Sequence, residues 1–226
     1  MDTALPCTRR LTIVTGHYGT GKTEFAVNLA LALAAAGERV TLADLDIMNP
    51  YFRPRERKEL LAASGVRLIA TSQACMDADV PALPAELLSV LENRELRGVL
   101  DVGGDPSGAR VLARFHPQIV REDWQMVCVL NANRPEVRAP ADAIRYLRAI
   151  EAVTGLACTG LVNNTHLCGE TAPADVRKGA ALAAKVSRET GIPVLCHTAE
   201  TRIANDLSDL EEPVFPITIR MKKPWE

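Results

Sequence analysis

The chain has 226 residues, a formal net charge of −2 and 47% hydrophobic residues. These values are typical of a globular protein with one sizeable core, and they show no overall basic bias toward nucleic acid. We therefore expect a single domain over residues 1–226. The first ten residues do not resemble a secretory signal, and the longest apolar stretch, 29–36, is too short to span a bilayer. The expected location is cytoplasmic.

The cysteines are scattered along the sequence, with no Cys-x-x-Cys pair. This spacing argues against a zinc finger, a ferredoxin-type cluster and a redox dithiol. His166 and Cys168 lie in one stretch, THLCGE, and offer two soft ligands, but two ligands do not make a metal site.

Short apolar runs alternate with helical stretches from one end of the chain to the other. The predicted strands are 11–14, 39–44, 66–70, 99–102, 124–130, 157–162 and 193–197, with 214–219 as an edge strand or covering segment. The predicted helices are 25–36, 55–64, 84–91, 107–115, 141–153 and 174–190, and 71–82 is predicted to be a loop. This alternation predicts an α/β fold, a doubly wound and mainly parallel sheet with helices on both faces.

The first predicted strand is followed by a phosphate-loop motif. Gly16, four further residues and then Gly21-Lys22-Thr23 match the pattern, and the alternative is a simple strand-to-helix turn. In such a loop, backbone N–H groups and the helix start surround a polyphosphate, the lysine reaches the β- and γ-phosphates, and the Thr23 hydroxyl ligates Mg²⁺. The predicted nucleotide-binding residues are Gly16, His17, Tyr18, Gly19, Thr20, Gly21, Lys22, Thr23 and Glu24.

Polar residues also follow other predicted strands. They are Asp44 and Asp46, Asp101 and Gly104, Asn131, and Asn163 and Asn164. In parallel sheets ligands bind beyond the carboxyl ends of the strands, so we expect these residues to converge on one crevice. An asparagine amide can pair with the N1 and N6 edge of adenine, so Asn163 and Asn164 are predicted to contact the base, with a simple turn as the alternative. For Asp44, Asp46 and Asp101, the alternative to a role at the ligand is a turn in which the acids cap a helix.

The stretch GKTEFAVNLALALAAAGERVTLADLD, together with the apolar-Asp-x-Gly-Gly run at 99–104, resembles the MinD/ParA/CobQ group of phosphate-loop ATPases, members of the SIMIBI class. The resemblance implies that Lys22 contacts the phosphates and that Asp46 orients or activates the attacking water. It implies a Mg²⁺ site at Thr23, Asp44 and Asp101, and it makes Gly104 the glycine that senses the γ-phosphate. ATP rather than GTP follows from the resemblance and from the absence of an Asn-Lys-x-Asp motif.

The sequence departs from this family in the loop itself. The family's loop begins Lys-Gly-Gly, and that lysine reaches across a dimer to the partner's nucleotide. Here the corresponding residues are His17-Tyr18-Gly19. Either another group makes this contact in a homodimer, with Arg53 and Arg55 as candidates, or the chain does not form the same nucleotide-sandwich dimer.

The leading hypothesis is a Mg²⁺-dependent ATPase that acts as a nucleotide-driven switch on a protein partner and turns over slowly. The alternative is an ATP-dependent small-molecule kinase or ligase like dethiobiotin synthetase, with residues 51–53 and 71–82 lining an acceptor pocket. A third hypothesis, a ParA-like DNA-associated ATPase, rests only on the resemblance and on Arg53, Arg55, Arg57 and Lys58, so we do not expect DNA as a partner. The tail ITIRMKKPWE is too short for a membrane-anchoring amphipathic helix.

Overall fold

A parallel β-sheet organises the part of the chain that the computed structural model describes, which is residues 5–46, 54–70 and 85–221. Its strands are β1 (Leu11–Thr15), β2 (Val40–Asp44), β3 (Arg67–Ala70), β4 (Arg97–Asp101), β5 (Trp124–Leu130), β6 (Gly160–Asn163), β7 (Val194–Glu200) and β8 (Val214–Ile217). The strand order is β3-β2-β4-β1-β5-β6-β7-β8, and each neighbouring pair is parallel. All described carboxyl ends therefore lie at the same edge.

Helices connect the strands. They are α1 (Lys22–Ala35), α2 (Lys58–Ala63), α3 (Ala85–Glu92), α4 (Pro106–Ala109), α5 (His116–Ile119), α6 (Pro140–Thr154), α7 (Pro173–Thr190) and α8 (Thr201–Ala204). No helix in the described ranges combines the length and apolar character needed to cross a membrane.

Both faces of the sheet are covered, because alternate residues of each strand point into different cores. In β5, Met126 and Cys128 pack in one core with residues of α3, α6 and α7. The alternating residues Val127 and Val129 pack in the other core with residues of α1 and α2. Fully buried parallel strands are typically continuous apolar runs of this kind. The predicted doubly wound α/β fold is therefore confirmed.

Several predicted elements differ in extent from the observed ones. The predicted helix 107–115 is instead α4, a 3₁₀ segment at Arg110–Phe115 and α5. The predicted strand 157–162 begins only at Gly160, since Cys158 N donates to Glu151 Oε1 at 2.8 Å instead of joining the sheet. The predicted strand 193–197 continues to Glu200, and the predicted loop 71–82 lies outside the described residues.

The segment that follows the edge strand β8 is attached to α1. Asn28 Nδ2 donates to Thr218 O at 3.0 Å, and Thr218 N donates to Asn28 Oδ1 at 3.0 Å. One turn earlier in α1, the Glu24 carboxylate accepts hydrogen bonds from Arg220 N at 2.7 Å and Met221 N at 3.0 Å. The end of the described chain is thus fixed beside the first turns of α1.

Gly179, in the middle of α7, marks a close approach between this helix and the end of β6. A methyl group at this position would overlap Asn163 Oδ1 and Thr165 Oγ1. We expect Gly179→Ala to lower the free energy of unfolding by about 1–2 kcal/mol, because overpacking exceeds the gain of about 1 kcal/mol in helix propensity. Denaturant unfolding measures the change. Gly169→Ala is the control, since nothing lies within 4 Å of its added methyl; a stabilised Gly179→Ala protein would contradict the prediction.

Candidate functional site

The loop between β1 and α1 has the backbone of a phosphate loop. Gly19 and Gly21 have φ values of 74° and 83°, in the left-handed region that favours glycine. Gly21 is the N-cap residue of α1, and a side chain there would also collide with Asn164 and His166. Thr20 closes the turn, since its N–H and Oγ1 donate to His17 O at 3.1 and 2.8 Å. The loop therefore ends at a helix N-terminus, where backbone N–H groups favour an anion.

Lys22, the first residue of α1, is enclosed on several sides. Its Nζ lies 3.6 Å from Asp46 Oδ2, and the two side chains are only 5% and 6% exposed. The same Nζ lies 5.6 Å from the centre of the Tyr18 ring. A methyl group on Gly104 would lie 3.0 Å from Nζ and 3.0 Å from Tyr18 N. Residues that follow β2 and β4, namely Asp46 and Gly104, therefore both lie close to the Lys22 ammonium group.

The neighbouring residue, Thr23, is joined to the end of β4. Its Oγ1 donates to Asp101 Oδ2 at 2.7 Å, and at the end of β2 the Asp46 N–H donates to Asp44 Oδ1 at 3.2 Å. Asp101 is fully buried, and the pKa of its carboxyl is raised to about 7, with burial as the largest cause. Within that net shift, Lys22 and the Thr23 hydrogen bond act to lower the pKa, and Asp44 and Asp46 act to raise it. Negative charge is therefore concentrated here.

The oxygen atoms of this cluster suit a Mg²⁺ ion. Asp101 Oδ1 is buried and has no hydrogen-bond partner in the described structure, so it has an unused acceptor beside the Thr23 hydroxyl. The described residues contain no group of three or more His, Cys, Asp or Glu side chains arranged to hold a metal ion. Mg²⁺ usually takes only one or two protein oxygens and completes its shell with water and phosphate. Thr23 and Asp101 fit that pattern, with Asp44 nearby in the same cluster.

Asn164 holds the phosphate loop in place. Its Nδ2 donates to Thr20 O at 2.8 Å and Gly21 O at 3.2 Å, and its Oδ1 accepts from Thr198 Oγ1 at 2.5 Å. The amide therefore ties the ends of β6 and β7 to the loop after β1. This arrangement differs from the prediction, because the amide protons proposed for the base are already used by loop carbonyls.

Asn163 lies inside the protein rather than in the crevice. Its side chain is fully buried, and its Nδ2 donates to Val176 O at 2.9 Å and lies 3.1 Å from His197 Nδ1. Its Oδ1 accepts from Thr165 N at 3.1 Å. The predicted base contact does not fit this residue, because its amide is engaged within the core. Asn163 instead connects β6 to α7 and β7.

His17 and Glu24, both in the predicted nucleotide-binding set, direct their side chains to the protein. The His17 ring packs edge-on against Tyr146, with ring centres 5.4 Å apart. The Glu24 carboxylate holds the backbone of Arg220 and Met221, and burial raises its pKa above the usual value. Their backbone N–H groups remain the predicted contacts with phosphate.

A cavity of about 540 Å³ extends from the phosphate loop along the carboxyl ends of β6, β7 and β8. This volume lies within the range of small-molecule sites. Lys22, Thr23 and Arg134 line the end next to the loop, and the apolar residues Ala199, Ile217, Ile219 and Met221 line another part of its wall. The cavity thus offers a charged part and an apolar part to one ligand.

Arg134 and the segment after β8 are parts of the site that the sequence analysis did not identify. Arg134 Nε donates to Gly19 O at 2.6 Å, which places a guanidinium group at the phosphate loop. The sequence signal that could have identified Arg134 is its position in the loop after β5, close to Asn131. The apolar wall formed by Ile219 and Met221 had no comparable signal, because their contacts depend on the attachment of the tail to α1.

His166 lines the cavity, and one of its ring nitrogens is buried without a hydrogen-bond partner in the described structure. Its Nδ1 accepts from Cys168 N at 3.2 Å, and the buried nitrogen is Nε2. The pKa of His166 is lowered to about 4, mainly by burial and in smaller part by the charge of Arg134, with Glu200 acting in the opposite direction. The ring is therefore neutral at neutral pH.

This lowered pKa predicts acid destabilisation. Between about pH 6.5 and 4 the unfolded chain binds a proton at His166 that the folded protein does not, so stability falls as the pH falls. We expect a loss of up to about 3 kcal/mol from this residue across that window. Denaturant unfolding at several pH values should show a shallower pH dependence for His166→Gln than for the unmutated protein. Identical slopes for the two proteins would contradict the prediction.

Comparison with known proteins agrees with this geometry. A model of the CobQ/CobB/MinD/ParA nucleotide-binding domain matches residues 11–195. No curated protein sequence matches the chain.

Several solved structures share the fold. FtsY from Thermotoga maritima has a TM-score of 0.56 and 20% identity, over 86% of this chain and 64% of that one. Chloroplast FtsY from Physcomitrella patens has a TM-score of 0.56 and 18% identity, over 83% and 57% of the two chains. The 54 kDa signal recognition particle protein from Aeropyrum pernix K1, solved with GDP, has a TM-score of 0.53 and 23% identity, over 84% and 41%.

At these identities the similarity shows the fold alone, and the chain spans less than two thirds of each of these structures. The family model, in contrast, covers most of the sequence and includes the phosphate loop and the acidic ends of β2 and β4. The chain therefore belongs to the CobQ/CobB/MinD/ParA family of P-loop nucleotide-binding proteins.

Proposed function

We propose that this protein is a cytoplasmic, Mg²⁺-dependent ATPase that acts as a nucleotide-driven switch on a protein partner. The observation that carries the proposal is the buried pair formed by Lys22 and Asp46, which lies beside the hydrogen bond between Thr23 and Asp101. These residues join the phosphate loop to the ends of β2 and β4. A ligand that binds Lys22 therefore acts on both strand ends at once.

The proposed switch is an exchange of partners at Lys22. When a nucleotide enters, its β- and γ-phosphate oxygens compete with Asp46 for the lysine ammonium group. Asp46 is then available to orient a water molecule, and the chain that follows it responds to the γ-phosphate. Gly104 lies close enough to Nζ and to the loop backbone to respond to the same phosphate. Thr23 and Asp101 would hold Mg²⁺ and Asp44 would hold one of its water ligands, and the ion would supply positive charge that neutralises the phosphates.

ATP is the proposed nucleotide because the chain lacks an Asn-Lys-x-Asp motif and belongs to a family with MinD and ParA. The Aeropyrum pernix structure, which shares only the fold, was solved with GDP. Competition of GTP with ATP for the purified protein distinguishes the two. Hydrolysis is proposed to be slow, so that its rate sets how long the switch stays in the ATP-bound state.

A homodimer in which a cation crosses to the partner's nucleotide remains a proposal. Arg55 lies in the 3₁₀ segment Pro54–Arg57, and Arg53 lies outside the described residues. His17 and Tyr18 occupy the positions of the missing family lysine and first glycine. Nucleotide-dependent dimerisation, measured by light scattering, tests this part of the proposal.

The small-molecule kinase or ligase is the second candidate function. Its proposed acceptor pocket includes residues 51–53 and 71–82, which lie outside the described structure, so no described contact favours it. The DNA-associated alternative rests on Arg53, outside the described residues, on Arg55 and Arg57 in the 3₁₀ segment, and on Lys58 at the start of α2. It would need a salt-dependent, ATP-stimulated shift of DNA.

Removing the lysine ammonium group tests nucleotide binding directly. We expect Lys22→Ala to weaken ATP binding by at least about 30-fold, because loss of a buried charged partner costs about 2 kcal/mol or more. Isothermal titration with MgATP measures the change, and circular dichroism checks that the variant is folded. The matched control is Lys185→Ala, at an exposed position on α7. Unchanged ATP binding in folded Lys22→Ala protein would show that the assignment is wrong.

The reaction itself separates the switch from the kinase. A switch should release phosphate from MgATP in the absence of any metabolite, and Asp46→Asn should lower this rate without abolishing ATP binding. A small-molecule kinase would release phosphate or ADP only when its acceptor is added. A coupled phosphate assay on the purified protein, with chelation of Mg²⁺ as the blank, measures the difference.

A further inference from the structure

We propose that Arg134 binds a phosphate group of the nucleotide through the Nη amino groups of its guanidinium. This role rests on the proposed function, since it requires a nucleotide in the cavity beside the phosphate loop. Arg134 would add a second cation to the phosphate site, supplied by the loop after β5 of the same chain. The contact therefore needs no partner subunit.

The guanidinium of Arg134 is held against the phosphate loop. Its Nε donates to Gly19 O at 2.6 Å, and a methyl group on Gly19 would lie 2.8 Å from Nε, 2.9 Å from Cζ and 3.2 Å from Nη2. The guanidinium can lie this close to the loop backbone because residue 19 has no side chain. Its position is thus restricted before a ligand arrives, which lowers the entropic cost of binding.

The same group is accessible and has donors that the protein does not use. Arg134 is exposed and lines the cavity together with Tyr18 and Gly19. Within the described part of the chain it donates only from Nε and forms no ion pair. Both Nη groups are therefore available to a ligand in the cavity. A guanidinium suits phosphate well, because parallel N–H groups can bind two oxygen atoms at once.

The sheet order places Arg134 and Lys22 on different sides of the loop. Strand β1, which precedes the phosphate loop, lies between β4 and β5. Lys22 lies close to Asp46 and Gly104, which follow β2 and β4, whereas Arg134 follows β5. A polyphosphate bound at the loop would therefore have one cation on each side.

The charge of the site also requires a second cation. Lys22 lies in a cluster with the buried carboxylates of Asp46 and Asp101, so one ammonium group does not balance the acids and a polyphosphate together. Mg²⁺ would supply part of the missing positive charge. Of the described residues that line the cavity, only Lys22 and Arg134 are cationic at neutral pH, since the pKa of His166 is lowered to about 4. Arg134 is thus the residue placed to supply the rest.

A set of variants separates the charge of Arg134 from its bond to the loop. We would titrate the unmutated protein, Arg134→Gln, Arg134→Lys and Arg138→Gln with MgATP and with magnesium tripolyphosphate by calorimetry. We expect Arg134→Gln to weaken the binding of both ligands about tenfold at low salt, because a charged hydrogen bond is lost. Arg134→Lys keeps the charge and should recover part of the loss. Arg138→Gln, at an exposed arginine of the same loop outside the cavity lining, should bind both ligands normally.

Ionic strength gives a second measurement on the same proteins. Because Arg134 is exposed, salt should screen its attraction for phosphate. The ratio of the Kd of Arg134→Gln to that of the unmutated protein should therefore fall as NaCl is raised from about 0.05 M to about 0.5 M. Circular dichroism checks that each variant is folded.

Three results would overturn the role of Arg134. The first is unchanged binding of both ligands by Arg134→Gln. The second is a loss for MgATP alone, since Arg134 would then contact the nucleoside. The third is an equal, salt-independent loss in Arg134→Gln and Arg134→Lys, because Arg134 would then act only by holding Gly19. If the unmutated protein bound neither ligand, the proposed function itself would fail, and this outcome is distinct from a failure confined to Arg134.

Discussion

The site depends on the burial of the sheet on both faces. Helices cover each face, so polar side chains of the inner strands can reach a ligand only at the carboxyl edge. At that edge Asn164 connects three elements, since its amide binds the loop after β1 and accepts from Thr198 at the end of β7. The geometry of the phosphate loop is thus set by strands that follow it by more than a hundred residues in the sequence.

Electrostatics supports the proposal that this edge binds a magnesium nucleotide. Lys22 faces a cluster of three buried carboxylates, Asp44, Asp46 and Asp101, and the raised pKa of Asp101 reports the cost of that arrangement. In the proposed function, a divalent cation near Thr23 and Asp101 would lower this cost by adding positive charge. The phosphates would replace Asp46 as the negatively charged partner of Lys22. Cation and polyphosphate would therefore favour each other's binding.

The fold followed from the sequence because its signals are local. The run 124–130 is nearly continuous and apolar, and the observed strand has the same bounds. Gly37 and Gly191 mark helix ends through their left-handed backbone. The acids and amides at strand ends were identified because a parallel sheet brings such ends together. The roles of Asn163 and Asn164 were not separable, because adjacent residues at a strand end point in opposite directions. One amide enters the core and the other reaches the loop.

The apolar wall of the cavity was beyond sequence reasoning for a related reason. Glu24 and Asn28 lie on the α1 surface, and their partners Thr218, Arg220 and Met221 are nearly two hundred residues away. No period or motif indicates such a pairing. Its consequence is that the helix that begins with Lys22 and Thr23 also holds, through Glu24 and Asn28, the segment that supplies Ile219 and Met221 to the cavity wall.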